Sequence, residues 1–136
     1  MRYRVAEAFA KTFTLSSEGD ITVISRGDDP ATSGTTEAKS ENKLMEKSPA
    51  VIISVGKNGY GGRPFGGGPA KAVLATNTDE VLNNAGSKKV SRTPTAPQSS
   101  CSDTAEGSPF CEFDDQVVAL STNTLFNRMV TAGKLP

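Results

Sequence analysis

Hydrophobic residues along this chain fall in a few short runs, separated by long polar stretches rich in Gly, Ser and Thr. The clearest run is "PAVIISVGKNGYGG", where Ala50 to Val55 form a continuous apolar, β-branched segment; this predicts a central strand buried on both faces. "FTLSSEGDITVISRGDD" reads as a hairpin, with Phe13 and Leu15 on one arm, Ile21 to Ser25 on the other and Glu18-Gly19-Asp20 as its turn. The opening "MRYRVAEAF" alternates Tyr3 and Val5 with arginines, while "VAEAFAKTF" has helical spacing, so a strand followed by a turn or short helix is expected. Residues 29–48 lack an apolar period until Leu44 and Met45 and predict a long loop. A second long loop, 56–72, holds too much Gly and Pro for regular structure.

Downstream, Thr78 to Ala85 fit a short helix capped at Asn77 or Thr78 and stopped by Gly86. An edge strand is expected around Val90 to Thr93, limited by the prolines that follow. The end of the chain, 116–136, carries the strongest signals. Val117 to Leu120 read as a strand, and Thr122 to Ala132 as a helix about 16 Å long. Ser121 or Thr122 offers its N-cap, Gly133 its left-handed terminus, and Leu125, Phe126, Met129 and Val130 its apolar stripe. The expected fold is therefore α+β, a mostly antiparallel β-sheet with a C-terminal helix packed on it. Val51, Ile53, Val117, Leu120, Leu125, Phe126, Met129 and Val130 are the expected core.

Length and composition narrow the picture. At 136 residues the chain fits one domain, 1–136. Its 35% hydrophobic content lies below the usual share of about 45–50%, in keeping with long loops. Fifteen basic residues balance fifteen acidic ones, so no overall field draws the protein to nucleic acid or an anionic membrane. The longest apolar run, Ala50 to Ile53, falls far short of the ~20 residues that span a bilayer, and no membrane contact is expected from these residues. Histidine is absent, which removes the usual general base and the Ser-His and Cys-His nucleophile pairs. No enzyme activity is expected.

Four constellations are candidates for chemistry. Cys101 and Cys111 bracket a segment rich in Ser, Pro, Gly and Asp; two unrelated thiols are the plain alternative, but the placement favours a local disulfide, 101–111, and an oxidising compartment. Closing a loop of that size stabilises a fold by roughly 3 kcal/mol. "GKNGYGG" has the wrong spacing for a nucleotide loop and reads as a tight turn after a buried strand. Asp114 and Asp115, adjacent before a strand, are expected to point to opposite faces and so not to share a proton. A carboxylate there either caps the amides of the glycine loop or, with Asn58 and loop carbonyls, holds calcium. Arg26 to Asp28 spell the tripeptide read by adhesion receptors, although a strand end collects Gly and Asp for turn reasons alone.

"PAVIISVGKNGYGG" followed by "CEFDDQVVALSTNTLFNRMVTAGKLP" resembles the C-terminal half of bacterial type IV pilin-like proteins, the minor pilins and type II secretion pseudopilins. In these, an S-x-G-x-[ND]-G turn after a strand, a cysteine-bounded loop, an F-D-D-x-V-V strand and a terminal helix of the type "LFNRMV.AGKLP" occur together. The resemblance implies a pilin-type head domain acting as a structural subunit of a type IV pilus or secretion pseudopilus, with other pilin or pseudopilin subunits as partners and no catalytic residue. It implies a periplasmic or extracellular filament, and a precursor anchored in the inner membrane by a leader and long hydrophobic helix, both of which these residues lack. It also implies calcium at the positions of Asn58, Asp114 and Asp115, although "GRPFGGGPAKAV" inserts between them. A free-standing secreted adhesin or glycan-binding module, using Tyr60 and Phe65, is the alternative; a small hydrolase would need a polar pocket at the two aspartates.

Overall fold

The computed structural model describes residues 1–26 and 41–134, which form β1 (Arg2–Val5), β2 (Ile21–Arg26), β3 (Glu41–Ser48), β4 (Ala50–Ser54), α1 (Thr78–Asn84), β5 (Lys88–Val90), β6 (Gln116–Leu120) and α2 (Thr122–Thr131). The strands make two three-stranded sheets, ordered β1-β4-β6 and β3-β2-β5. Each pairing of these strands is antiparallel except β2 with β5. The chain is thus α+β, as the sequence patterns imply. Of the adhesion-type tripeptide only Arg26 belongs to the described residues; Gly27 and Asp28 lie outside them, as do residues 29–40 of the first expected loop.

The main core lies between the inner face of the β1-β4-β6 sheet and β2. Ala6, Phe9, Ile21, Val23, Val51 and Ile53 are buried there, with Phe13, Met45, Val117, Leu125 and Phe126 packed against them. A smaller core joins Ile24, Val90 and Phe113, with Leu82 of α1 against it. β4 is central, but it is buried on one face only: Val51 and Ile53 are inside, whereas Ile52 is 49% exposed. An antiparallel sheet with a single covered face imposes that alternation.

Two expectations are corrected. Phe13 and Leu15 do not form a hairpin arm; β2 pairs instead with β3 and, in parallel, with β5. Phe13 packs on Phe9 and Phe126, at ring-centroid separations of 4.9 and 6.4 Å, and that aromatic packing replaces strand pairing. Residues 41–48, expected within a loop, form β3. It is an edge strand whose charged side chains stay in solvent, so its sequence carries no apolar period, and its Lys and Glu residues guard the open edge. The strand expected at Val90 to Thr93 begins earlier, at Lys88. Residues 56–72 hold no helix or named strand and are tied by a bridge between Tyr60 and Lys71.

Both helices have the expected caps. Asn77 accepts from the Glu80 amide at the start of α1, and the Ser121 hydroxyl accepts from the Thr124 amide at the start of α2. At the end of α2, Gly133 takes φ +62°. Its amide donates to the Val130 carbonyl and the Lys134 amide donates to that of Met129, so the last carbonyls are satisfied. Leu125 and Phe126 seat the helix on the core; Leu120, expected in the core, is half-buried outside it, because Val117 and Ala119 take the inner face of β6 and its neighbours in the strand alternate outward. Val130, expected in the core, is 57% exposed, and Met129 is no more than partly covered, because the stripe turns away from the sheet over the last turn. Since Phe126 is only half-buried, Phe126→Ala should cost about 2 kcal/mol, below the range of a fully buried ring. A urea midpoint equal to that of the parent would mean that the helix is not docked.

Cys101 and Cys111 form a disulfide. Structural disulfides are rare in a reducing cytosol, so the bond is consistent with an oxidising compartment. No helix among the described residues is long and apolar enough to cross a membrane.

Candidate cation centre

The segment that leaves the disulfide is held in place before it reaches the aspartates. Phe113 is fully buried, and its amide and carbonyl exchange hydrogen bonds with Thr95 at 3.1 and 2.9 Å. Asp114 and Asp115 follow immediately and precede β6, outside its pleat. The alternation expected of adjacent strand residues therefore does not apply. Both carboxylates, together with Glu80 from the first turn of α1, bring oxygens within 4.8 Å of one another.

Each acidic side chain is held by one oxygen. Asp114 Oδ2 accepts from the amides of Lys57 and Asn58, at 2.8 and 2.9 Å; this is the expected capping of the glycine loop. Gly56 makes the approach possible, since it has φ +53° and a Cβ there would overlap the Asp114 carboxylate. Glu80 Oε1 accepts from Asn58 Nδ2 at 3.0 Å. Asp115 Oδ2 accepts from Asn83 Nδ2 at 2.9 Å, and Asn83 Oδ1 accepts from the Val90 amide at 2.7 Å. The other oxygens, Glu80 Oε2, Asp114 Oδ1 and Asp115 Oδ1, are buried with no hydrogen-bond partner among the described residues.

Asn58 stands beside the cluster without offering it an oxygen. Its Oδ1 accepts from the Tyr60 amide at 3.0 Å, and its backbone carbonyl accepts from Lys71 Nζ at 2.7 Å. Its side-chain amide is turned to Glu80 and orients that carboxylate. Glu80 itself escapes a reading of the sequence, because Asn77-x-x-Glu80 is the spacing of a helix capping box and assigns it a local role.

Burial sets the electrostatics. It pushes the Glu80 carboxyl up to about 7, against the hydrogen bond from Asn58, with the Asp115 charge adding to the rise. It pushes Asp115 up to about 6, opposed by Asn83 and reinforced by Asp114. Three converging buried oxygens without donors, all from carboxylates, fit a hard cation. Calcium takes about six to eight oxygen ligands, and the donor set contains no nitrogen or sulfur that would favour a transition metal.

A second buried cluster supports the first. Asp79, with no exposure, accepts from Arg26 Nε at 2.6 Å and Arg92 Nε at 2.7 Å. Arg92 also reaches Asp103 Oδ1 at 3.1 Å and the Cys111 carbonyl at 3.2 Å. Its guanidinium lies 4.7 and 4.4 Å from the Phe110 and Phe113 ring centroids. Asp103 Oδ2 accepts from the Asp79 amide at 3.0 Å. The disulfide segment thereby fixes the start of α1, and with it Glu80. Of the aromatic residues in the glycine loop, Tyr60 lies under Lys71, 4.6 Å from its Nζ, and Phe65 is fully exposed.

Comparison with protein-family profiles, with curated proteins and with solved structures finds no match to this chain.

Proposed function

We propose that this chain is the head domain of a structural subunit, of the kind that builds a type IV pilus or a type II secretion pseudopilus, working in the periplasm or on the cell surface. The observation that carries this reading is an uncovered apolar face on the β1-β4-β6 sheet. Tyr3 faces Ile52 across β1 and β4, and Ile52 faces Val118 across β4 and β6; the three are 81%, 49% and 66% exposed. A second row sets Val5 beside Ala50 and Leu120. Contiguous exposed apolar surface of this kind marks a place where another polypeptide packs. The resemblance noted in "GKNGYGG" and "CEFDDQVVALSTNTLFNRMVTAGKLP" supports the filament setting, and the three-carboxylate centre is in keeping with the calcium that this resemblance implies.

The test uses the full chain in cells that make it. The protein should sediment with sheared surface filaments, and Ile52→Lys combined with Val118→Lys should remove it from that fraction without changing its melting temperature. Recovery of both forms only as free protein in the medium would overturn the subunit reading and favour a secreted adhesin.

A further inference from the structure

We propose that the cleft between β1 and the turn joining α1 to β5 binds a tetrahedral oxyanion, a phosphate or sulfate group, through Arg2 and Arg4. β1 is patterned in reverse. Tyr3 and Val5 turn outward, while Arg2 and Arg4 lie on the face that carries the core in β4, opposite Ile53 and Val51. Residues two apart on a strand share a face and stand about 7 Å apart. Local violations of the inside-outside pattern concentrate at functional sites.

The two arginines line a cleft of about 210 Å³, together with Ile53, Asn84, Gly86 and Lys89. Arg2 uses Nη1 on the backbone carbonyl and side-chain oxygen of Asn84, and Arg4 uses Nη2 on Asp20, at 3.1 Å. Arg4 Nε is buried with no hydrogen-bond partner among the described residues. Among the described residues, the hydrogen bonds of the two side chains engage neither Nη2 of Arg2 nor Nη1 of Arg4. Paired guanidinium forks match the several acceptor oxygens of a phosphate or sulfate better than a single carboxylate does.

Lys89 adds a fixed charge. It is 3% exposed and donates to the carbonyls of Leu82, Asn83 and Ala85, at 3.0, 3.3 and 3.1 Å. Burial, and then the charges of Arg4 and Arg2, pull its ammonium down to about 8, with Asp115 opposing them. The cations therefore repel one another across the cleft, and an anion between them relieves that repulsion. Gly86, in the turn at the rim of the cleft, takes φ +73°, a left-handed conformation that glycine adopts without strain.

Inorganic phosphate titrated against chloride at matched ionic strength should bind saturably, with chemical-shift changes concentrated at Arg2, Arg4 and Gly86. Arg2→Gln and Arg4→Gln should each weaken binding by about tenfold or more, since each removes a charged donor from the anion. Glucose 6-phosphate separates the sources: binding as tight as phosphate assigns the cleft to esters, and exclusion of the ester assigns it to the free ion. No saturation by either, or shifts that centre elsewhere on the folded parent protein, overturns the proposal even where a variant fails to fold.

Discussion

Replacing Arg92 by methionine should cost the domain about 3–5 kcal/mol, the range for removing one partner from a buried ionic cluster. The loss would leave Asp79 and Asp103 without a shared cation. Burial, and then the Asp103 charge, already hold the Asp79 carboxyl above its usual range. Arg92 also fastens the Cys111 carbonyl and fills the space between two phenylalanine rings. Against a total stability of about 5–15 kcal/mol, such a change brings the domain close to unfolding. Arg92→Lys should recover only part of it, since an ammonium cannot span the same acceptors or stack as a guanidinium does. Urea denaturation decides the matter; a loss below about 1 kcal/mol would mean that the cluster is dispensable.

Calcium at about a hundred times its dissociation constant should stabilise the protein by about 2.7 kcal/mol at pH 8, a rise in melting temperature on the order of 10 °C. In chelator, the pH dependence should run the other way from that of a salt-bridged protein. Glu80 and Asp115 hold their protons up to about 7 and 6 when folded, above their ordinary values of 4.5 and 3.8. Their contribution is complete below pH ~4 and is lost as pH climbs through about 6 to 7. Calcium must displace those protons, so its effect should shrink at pH 5. Glu80→Gln should abolish the calcium response and flatten part of the pH dependence. Melting at pH 8 that is indifferent to chelator would leave loop capping as the whole role of Asp114.

The sequence was most legible where local chemistry and tertiary packing agree. The caps at Asn77 and Ser121, the terminus at Gly133 and the strand at Val51 to Ile53 all follow from short-range rules. β3 was hidden because an edge strand needs no apolar face. Glu80, Asp79 and Arg92 were hidden for a different reason. Their burial depends on partners remote in the chain, as Arg26 is from Asp79 at 53 positions, and isolated charged residues read as solvated surface. Asp114 and Asp115 are legible in the sequence as a pair, but their shared direction depends on the Phe113 anchor.

Apart from β2 with β3, the strand pairings join distant parts of the chain: β1 meets β4, β4 meets β6, and β2 meets β5. Such a topology must close large loops before its contacts compensate for the lost chain entropy, which places its folding toward the slow, millisecond-to-second end of the range for small domains. The two cysteines, by contrast, are 10 positions apart. Oxidation can therefore close this loop, and restrain the segment leading into β6, while the sheets are still unformed.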